Sequence, residues 1–319
     1  MENRHTRDDL KYLQAMSLEM KIQKSIAKII EWHNRHDGNV YVSFSGGKDS
    51  TVLLHLVRSI FPDVPAAFAH TGLEYPEIVE HALSFDNVMV LRPKLNFRQV
   101  IEKYGYPVVS KDVAGTIDYC RRGSPWAIQR MEGIREDGSP YPFRERFYSK
   151  WRYLLDAPFK IGSGCCGIMK ESPLDKYAKE TGRKCFVGTL AAESRRREQG
   201  WLKVGCNAFD GKRPRSAPLS FWLEDDILRY IKEFDISIAK CYGEVENSNG
   251  KWQTTGVDRT GCIWCLFGCH LDKPPNKIQQ LAKTHPKLYE YCLRDWESGG
   301  LGLARVMDFV GIEHAPIEE

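Results

Sequence analysis

Short apolar runs alternate with amphipathic stretches over the first hundred residues of the chain. The runs lack the regular polar alternation of a half-exposed sheet, which is typical of parallel strands buried on both faces. The amphipathic stretches carry apolar residues at helical spacing. The pattern predicts these elements in order: strand 39–44, helix 50–60, strand 65–70, helix 76–84, strand 87–91 and helix 96–103. We therefore expect an α/β fold with a central twisted parallel sheet and helices on both of its faces.

Weaker patterns flank this region. Apolar positions at helical spacing run through residues 8–34, and the βαβ pattern resumes with a strand at 184–190 and a helix at 222–233. Residues 105–160 have weak periodicity and many aromatic and charged residues. A long connector without regular structure is uncommon, so we interpret this stretch as an insertion or lid near a substrate.

The chain is expected to divide into a helical N-terminal segment at 1–37, a main domain at 38–240 and a C-terminal appendage at 241–319. The appendage is rich in turns and cysteines at first. It then predicts three short helical segments around 276–283, 285–296 and 301–310.

Composition is that of an ordinary globular protein, with 42% hydrophobic residues, 28% charged residues and a net charge of +4. No apolar run approaches the ~20 residues that span a bilayer, and the charged N-terminus has no apolar segment of a secretory signal. We therefore expect a cytoplasmic protein. In a reducing compartment its ten cysteines would stay reduced, so clustered thiols indicate metal binding or catalysis rather than disulfides.

Residues 43–50, Ser-Phe-Ser-Gly-Gly-Lys-Asp-Ser, lie between a predicted strand and a predicted helix. Gly46 and Gly47 allow the backbone to approach a phosphate, and the first amides of the helix point toward it. Lys48 adds a mobile cation, and Ser45 and Ser50 add hydroxyl donors. The spacing differs from the common P-loop, Gly-x-x-x-x-Gly-Lys-Ser/Thr. The octapeptide predicts an anion-binding loop; the alternative is a simple glycine turn beside a solvated lysine.

Two cysteine pairs form the second signal. Cys262 and Cys265 form a Cys-x-x-Cys turn, whereas Cys165 and Cys166 are adjacent and suit two irons of one cluster better than a single tetrahedral zinc. Together they supply the four thiolates of a [4Fe–4S] cluster. The alternatives are Cys269 in place of Cys165, buried unligated thiols, or a zinc knuckle. That knuckle would use Cys262, Cys265, Cys269 and either His270 or Cys292.

Five motifs occur in one order over roughly residues 38–270. They are the loop at 43–50, His-Thr-Gly-Leu-Glu-Tyr-Pro-Glu at 70–77, Cys-Cys-Gly-Ile-Met-Lys-Glu-Ser-Pro-Leu at 165–174, Gly-Thr-Leu-Ala-Ala-Glu-Ser-Arg-Arg-Arg at 188–197, and the segment 218–231, which begins Pro-Leu-Ser-Phe-Trp. This set resembles the phosphoadenosine phosphosulfate (PAPS) reductase family, in the iron–sulfur branch of the adenine-nucleotide alpha-hydrolase (PP-loop) superfamily.

The resemblance implies an adenine nucleotide, with Mg²⁺, at the glycine loop and a [4Fe–4S] cluster nearby. It implies catalytic roles for Lys48, Asp49, Lys170 and Arg197, and cluster ligation by Cys165, Cys166, Cys262 and Cys265. The residues that it implies in nucleotide binding are Ser43, Ser45, Gly46, Gly47, Lys48, Asp49, Ser50, Thr71, Gly72, Gly188 and Glu193.

The chain departs from the assimilatory reductases of this family, which end in a Glu-Cys-Gly-x-His tail. No cysteine follows Cys292, His70 stands where Asp is common, and Leu190 stands where Arg is common. We therefore expect an enzyme that cleaves ATP with release of pyrophosphate and couples this step to sulfur transfer, with a sulfur-donor or electron-donor protein as partner.

A nucleic acid is the acceptor that we consider first, because a basic and aromatic segment is present. Its members are Arg121, Arg122, Trp126, Arg130, Arg135, Arg144, Arg146, Lys150, Trp151 and Arg152. Two alternatives stay open. One is a sulfonucleotide (PAPS or adenylyl sulfate) reductase that uses Cys292, Cys269 or a partner's thiol; the other is a non-catalytic nucleotide-binding module with a structural metal site.

Overall fold

The computed structural model describes residues 4–140, 146–211 and 213–315, with the side chains of residues 146 and 147 left out. The α-helices, numbered α1 to α13, are Arg7–Gln14, Leu18–Arg35, Lys48–Arg58, Pro76–Leu83, Phe97–Tyr104, Lys111–Arg121, Pro125–Glu132, Ser172–Thr181, Arg195–Val204, Glu224–Glu233, Lys277–Thr284, Pro286–Leu293 and Leu303–Val310. The strands, numbered β1 to β10, are Val40–Phe44, Ala66–Ala69, Val88–Leu91, Val108–Val109, Lys184–Val187, Asn207–Ala208, Arg215–Ser216, Val245–Ser248, Lys251–Thr254 and Leu266–Phe267.

Two compact units share the chain. Unit 1 consists of Met1–His70, Glu74–Arg92 and Ser172–Thr260, and unit 2 consists of Thr71–Leu73, Pro93–Glu171 and Gly261–Glu319. Both units are therefore discontinuous in sequence.

Unit 1 is built on a six-stranded sheet in the order β3-β2-β1-β5-β7-β6. The first five of these strands are parallel, and β6 pairs antiparallel with β7. Val42 at the centre of β1 faces Ala66 on one side and Phe186 on the other, and all three are fully buried. This arrangement confirms the predicted α/β fold. It also explains why the strand segments read as continuous apolar runs.

The strand order reverses beside β1. The chain leaves β1 for β2 on one side, whereas β5 lies on the other side. A crevice forms at such a point, at the carboxyl ends of the two strands, and ligands of open α/β sheets bind there. The glycine loop follows β1, and Gly188 follows β5.

The apolar pattern at 8–34 forms two helices rather than one. The side chain of Ser17 accepts a hydrogen bond from the Met20 amide and so begins α2. Helix α2 buries Ile29 and Trp32 in the core of unit 1, together with residues of α3 and α10.

Unit 2 contains the segment 105–160, which has more regular structure than its weak periodicity indicated. It includes β4, α6, α7 and a 3-10 segment at Arg146–Asp156, and β4 pairs parallel with β10. Local signals for these helices are present: Ser110 caps α6, Pro125 begins α7, and Gly133 ends α7 in a left-handed conformation. The three helical segments predicted near the C-terminus correspond to α11, α12 and α13.

Within the described ranges, none of the helices combines the length and the apolar character needed to cross a lipid bilayer.

Candidate functional site

The glycine loop turns sharply between β1 and α3. Gly46 has a φ of +72°, and a Cβ there would lie 2.8 Å from the carbonyl oxygen of Ile78. Gly47 occupies the N-cap position of α3 without any side-chain cap. Both the backbone angle and the close contact therefore require glycine at position 46.

Hydroxyl groups hold the turn in place. The Ser45 and Ser50 hydroxyl oxygens are 2.9 Å apart, and both Ser50 and Thr51 donate to the Gly47 carbonyl, at 2.9 and 3.1 Å. The first turn of α3 is thus fixed by its own side chains, which keeps the amides at its N-terminus oriented toward the crevice.

Gly188 brings the end of β5 against the same turn. A Cβ at this position would lie 3.0 Å from the Asp49 carbonyl oxygen and 3.1 Å from the Ser50 backbone nitrogen. Only glycine allows this approach without movement of α3. The predicted nucleotide contacts at Gly188 and in the loop are therefore neighbours in unit 1.

Lys48 is the most enclosed charge of the loop, with 3% of its surface exposed. Its ammonium nitrogen Nζ donates to the Asp258 carbonyl at 2.6 Å and lies 3.0 Å from the Glu224 carboxylate. Its backbone amide donates to the Tyr242 hydroxyl at 3.2 Å, and that hydroxyl is 2.6 Å from the Thr260 hydroxyl.

A charged group lies beside the loop. The Glu193 carboxylate pairs with both Arg197 and Arg259 and accepts the Leu190 amide at 2.9 Å. Burial raises the pKa of Asp49, against the opposing effect of Lys48 and Arg259. Burial also lowers the pKa of Arg197, with a contribution from Arg259. Lys48, Arg197 and Arg259 are cations of the kind that bind a polyanion, and the Asp49 carboxylate is an oxygen ligand of the kind that binds a divalent metal ion.

The four predicted cluster cysteines all belong to unit 2. Cys165 hydrogen-bonds to Cys166, and this bond is the main reason why the pKa of Cys165 is raised and that of Cys166 is lowered. The charges of Cys265 and Cys262 also raise the pKa of Cys165. The amide of Cys265 donates to the Cys262 carbonyl at 3.1 Å, as expected of a Cys-x-x-Cys turn.

Two lysines accompany these thiols. Lys111, at the start of α6, hydrogen-bonds to Cys166, and Lys170 is close enough to lower the pKa of Cys166 as well. Lys170 lies in a π-helical turn, Gly167–Glu171, that follows the cysteine pair. Such turns are rare in proteins, and those that occur are frequently found at functional sites. Two cations would offset part of the negative charge that four thiolates bring.

The described residues contain no set of three or more His, Cys, Asp or Glu side chains that converges on a single metal ion. A [4Fe–4S] cluster uses one thiolate for each iron, so its ligands need not converge on one point. Four soft sulfur donors within mutual electrostatic reach fit such a cluster.

The two cysteines that could act as the nucleophile of a sulfonucleotide reductase, Cys269 and Cys292, are enclosed. Cys269 is 2% exposed and Cys292 is fully buried. Burial raises the pKa of Cys269 to about 11 and that of Cys292 to about 12. A buried thiol of this kind is a poor nucleophile at neutral pH.

The predicted residues thus fall into two groups. In unit 1 the structure brings together those of the loop and its surroundings: Ser45, Gly46, Gly47, Lys48, Asp49, Ser50, Gly188, Glu193 and Arg197. Ser43 precedes them within β1, opposite Ala67 and Val187. Unit 2 holds Lys170, the four cysteines, and Thr71 and Gly72, where the Thr71 hydroxyl accepts the Leu73 amide at 3.1 Å.

Sequence reasoning missed several residues at these sites: Lys111, Glu224, Tyr242, Arg259 and Thr260. Glu224 lies within the segment 218–231, one of the five motifs that carry the family resemblance, but the motif did not point to a contact with Lys48. Tyr242 is 194 positions from Lys48, and no local pattern relates the two residues.

The chain is similar to a known protein family and to several known proteins. The family model of the phosphoadenosine phosphosulfate reductase domain matches residues 39–119 and 128–265. An uncharacterized protein of Methanocaldococcus jannaschii is 31% identical over 285 residues, which cover 85% of this chain and 51% of that protein. Subunit 2 of sulfate adenylyltransferase from Streptomyces lavendulae is 26% identical, covering 67% of this chain and 61% of the relative.

The phosphoadenosine 5'-phosphosulfate reductase of Proteus mirabilis is 24% identical, covering 73% of this chain and 78% of the relative. The chain spans only half to three fifths of the length of the first two relatives. The family model covers most of the chain, including the glycine loop and all four clustered cysteines, and so this protein belongs to the phosphoadenosine phosphosulfate reductase family.

Proposed function

We propose that this chain is an enzyme that cleaves ATP between the α and β phosphates and couples that cleavage to sulfur transfer. The observation that carries the proposal is the position of Lys48. It lies at the N-terminus of α3, at the point where the strand order reverses, and it is enclosed there 3.0 Å from the Glu224 carboxylate. A fixed cation and a helix N-terminus stabilise the negative charge of a departing pyrophosphate.

The proposed reaction has two steps, activation of the acceptor by ATP and displacement of AMP by sulfur. An oxygen of the acceptor attacks the α-phosphorus of ATP, the bond to the bridging oxygen of the β-phosphate breaks, and pyrophosphate leaves. A sulfide-level sulfur then displaces AMP from the activated carbon, and the acceptor oxygen leaves with AMP. No net oxidation occurs in this sequence.

The residues of the loop have separate roles in the proposal. Lys48 and the α3 amides hold the β and γ phosphates, and Arg197 neutralises part of the remaining phosphate charge. Asp49 supplies a carboxylate for Mg²⁺, a hard cation that prefers oxygen ligands. Glu193 keeps Arg197 in place through its ion pair.

Cys165, Cys166, Cys262 and Cys265 would hold a [4Fe–4S] cluster. When bound, the cluster would supply redox or Lewis-acid chemistry directed at sulfur. Lys111 and Lys170 lie near the Cys166 thiol and would favour its thiolate form, which is the form that binds iron.

For the acceptor we propose a nucleic acid, although the structure reduces the basic segment that suggested it. Arg121 donates to four backbone carbonyls, Arg130 pairs with Asp112, and Trp151 is buried, so these three support the fold. Arg144 and the side chain of Arg146 lie outside the described residues.

An exposed aromatic pair in unit 2 supports the acceptor proposal. Tyr119 and Trp126 are 48% and 46% exposed, and their ring centroids are 5.3 Å apart. Exposed Arg122 lies in the turn between their helices. Aromatic faces with a neighbouring cation bind unpaired bases by stacking. Trp126→Ala should therefore weaken binding of single-stranded RNA, and unchanged binding would remove the acceptor proposal.

Sulfonucleotide reduction is the second candidate, favoured by the family and by the reductase among the relatives. It requires a thiol to attack the sulfonate sulfur. Cys269 and Cys292 are buried, so a partner protein would have to supply that thiol.

The two candidates differ in their products. Protein purified without oxygen would be assayed for iron and sulfide, then incubated separately with ATP and Mg²⁺ and with PAPS. AMP and pyrophosphate from ATP would support the first candidate, and sulfite and adenosine bisphosphate from PAPS would support the second. Binding of nucleotide without either set of products would leave only the binding-module alternative.

A further inference from the structure

Three consecutive residues, Asp258, Arg259 and Thr260, each engage a different part of the glycine-loop site. We call them the strap. The Asp258 carbonyl accepts from the Lys48 ammonium at 2.6 Å, Arg259 pairs with Glu193, and Thr260 hydrogen-bonds to Tyr242. The hydroxyl of Tyr242 in turn accepts the Lys48 amide at 3.2 Å.

The backbone amide and the ammonium group of Lys48, which would both donate to a phosphate, already have oxygen acceptors from the protein itself. The amide donates to the neutral Tyr242 hydroxyl, and the ammonium donates to the neutral Asp258 carbonyl and pairs with the charged Glu224 carboxylate. Phosphate oxygens are charged, so they accept more strongly than a neutral phenol from the amide and add an ion pair with the ammonium. A phosphate can therefore displace the Tyr242 and Asp258 oxygens, whereas Glu224 can stay paired with Lys48.

Tyr242 and Thr260 pack directly against the glycine loop, so no ligand fits between them and Gly47. A Cβ on Gly47 would lie 3.1 Å from the Tyr242 hydroxyl and 3.3 Å from the Thr260 hydroxyl. Tyr242 is 2% exposed and Lys48 is 3% exposed. A phosphate can reach the Lys48 donors only if Tyr242 and the strap move.

The described backbone hydrogen bonds do little to hold the strap in place. It lies outside helices and strands, and Asp258 and Arg259 are exposed. Among the described hydrogen bonds, none is donated by a backbone amide of residues 258–260. By contrast, the two residues before it are anchored: the amides of Gly256 and Val257 donate to the carbonyls of Tyr242 and Cys241, at 2.8 and 2.9 Å. Among the described hydrogen bonds, movement of the strap therefore breaks none that its own backbone amides donate, and breaks the contacts of the Asp258 carbonyl and of the Arg259 and Thr260 side chains.

We propose that Tyr242 and the strap cover the glycine-loop site, and that the phosphates of a nucleotide displace the Tyr242 hydroxyl and the Asp258 carbonyl from Lys48. This inference rests on the proposed function, because it assumes that the loop binds phosphate. It assigns to Tyr242 a regulatory position that the sequence motifs do not indicate.

The test uses Tyr242→Phe, which removes the hydroxyl and keeps the ring that lies 5.4 Å from the Lys48 ammonium. Binding of inorganic pyrophosphate and of ATP with Mg²⁺ would be measured by calorimetry. Loss of a competing hydrogen bond should tighten binding roughly two- to tenfold. Thr260→Val should act in the same direction. Tyr230→Phe is the matched control, since that tyrosine is also buried in unit 1 but bonds to His55, and its affinity should equal that of the wild type.

Trypsin cleavage after Arg259 supplies the second readout, because this residue is exposed and lies outside helices and strands. Pyrophosphate should speed this cleavage in the wild-type protein, because release of the strap frees its backbone from the glycine loop. Weaker or unchanged binding by Tyr242→Phe, or unchanged or slower cleavage after Arg259 on pyrophosphate binding, would overturn the inference.

Lys48→Ala separates the two claims. If the wild type binds pyrophosphate and Lys48→Ala does not, the phosphate site stands whatever Tyr242→Phe shows. If Tyr242→Phe binds and the wild type does not, the strap is supported strongly. If neither of them binds, the proposed function and this inference fail together.

Discussion

Lys21 of α2 and Asp226 of α10 form an ion pair at 2.6 Å in which both side chains are almost wholly buried. The same carboxylate accepts the Leu223 amide at 2.7 Å and so begins α10. Nearby, Ser25 donates to the Pro218 carbonyl and accepts from Trp222, both at 2.9 Å. Part of the 218–231 motif therefore serves to fasten α10, which carries Glu224, to the helix before the glycine loop.

Removal of one partner should destabilise the protein strongly. Lys21→Met would leave the Asp226 charge buried and unpaired, at a cost of ~3–5 kcal/mol in the free energy of unfolding. Urea denaturation measures this change. Lys28→Met is the control, because Lys28 pairs with Glu31 at the surface of the same helix and contributes less than ~1 kcal/mol. Equal losses in the two variants would contradict the role of the buried pair.

Gly188→Ala should disturb the loop. The added methyl group would press on the backbone of Asp49 and Ser50 and shift the start of α3, with a loss of ~1–3 kcal/mol and weaker nucleotide binding. Gly200→Ala is the matched control. Gly200 lies inside α9 with open space around it, so alanine should stabilise that helix by about 1 kcal/mol. Nucleotide titration and thermal unfolding of both variants would show whether the close approach matters.

Each of the four clustered cysteines should be needed for iron. Serine is a poor ligand for iron in such clusters, so Cys262→Ser or Cys265→Ser should lose the visible absorption and most of the iron and sulfide. Cys206→Ser should keep both, since Cys206 is in unit 1, where its sulfur accepts from Ser220 at 3.4 Å. Full iron content in Cys262→Ser would remove that residue from the ligand set.

Burial of His55 predicts a loss of stability in mild acid. Burial lowers the pKa of His55 below its ordinary value of 6.5, and its Nδ1 lies 2.9 Å from the Tyr230 hydroxyl. Below pH 6.5 the unfolded chain takes up a proton that the folded protein does not, so the free energy of unfolding falls as the pH falls from 6.5 toward the folded pKa.

Urea unfolding between about pH 7.5 and about pH 5.5 measures this dependence. His55→Gln cannot take up the proton and should show a smaller slope. His36 and His81, whose pKa values burial also lowers, should leave part of the dependence in place. An identical slope in wild type and His55→Gln would contradict the assignment.

Two adjacent arginines should behave differently. Arg121 donates to the carbonyls of residues 154, 155, 157 and 159 at 2.7–3.0 Å, and Arg121→Met should cost at least ~2 kcal/mol. Arg122 is exposed, follows the last residue of α6 and pairs with Asp118 of that helix, so Arg122→Met should change stability by less than ~1 kcal/mol. Thermal unfolding of the two variants distinguishes these outcomes, and similar losses would show that the carbonyl contacts do not stabilise unit 2.

Local patterns carried much of the fold. The apolar runs at 39–44, 65–70 and 87–91 correspond to β1, β2 and β3. Strands β1 and β2 are almost fully buried and so need apolar residues on both faces, whereas β3 lies at the edge of the sheet and is only partly buried. The turn at the glycine loop could also be predicted from sequence, since the positive φ at Gly46 and the start of α3 at Lys48 both depend on nearby residues. The pattern at 105–160 was less informative. There, helices α6 and α7 and the 3-10 segment are stabilised by packing and by Arg121 rather than by an amphipathic repeat.

Short motifs along the chain were enough to identify the family and to predict the α/β class, and they name the residues that we predict to bind phosphate and iron. What surrounds these residues depends on tertiary packing. Tyr242 contacts Lys48 from 194 positions away, Arg259 pairs with Glu193, and Thr260 bonds to Tyr242; the burial of Lys48 is likewise a property of packing. Such contacts leave no periodic or local trace, since folding brings together side chains whose spacing along the chain is unconstrained.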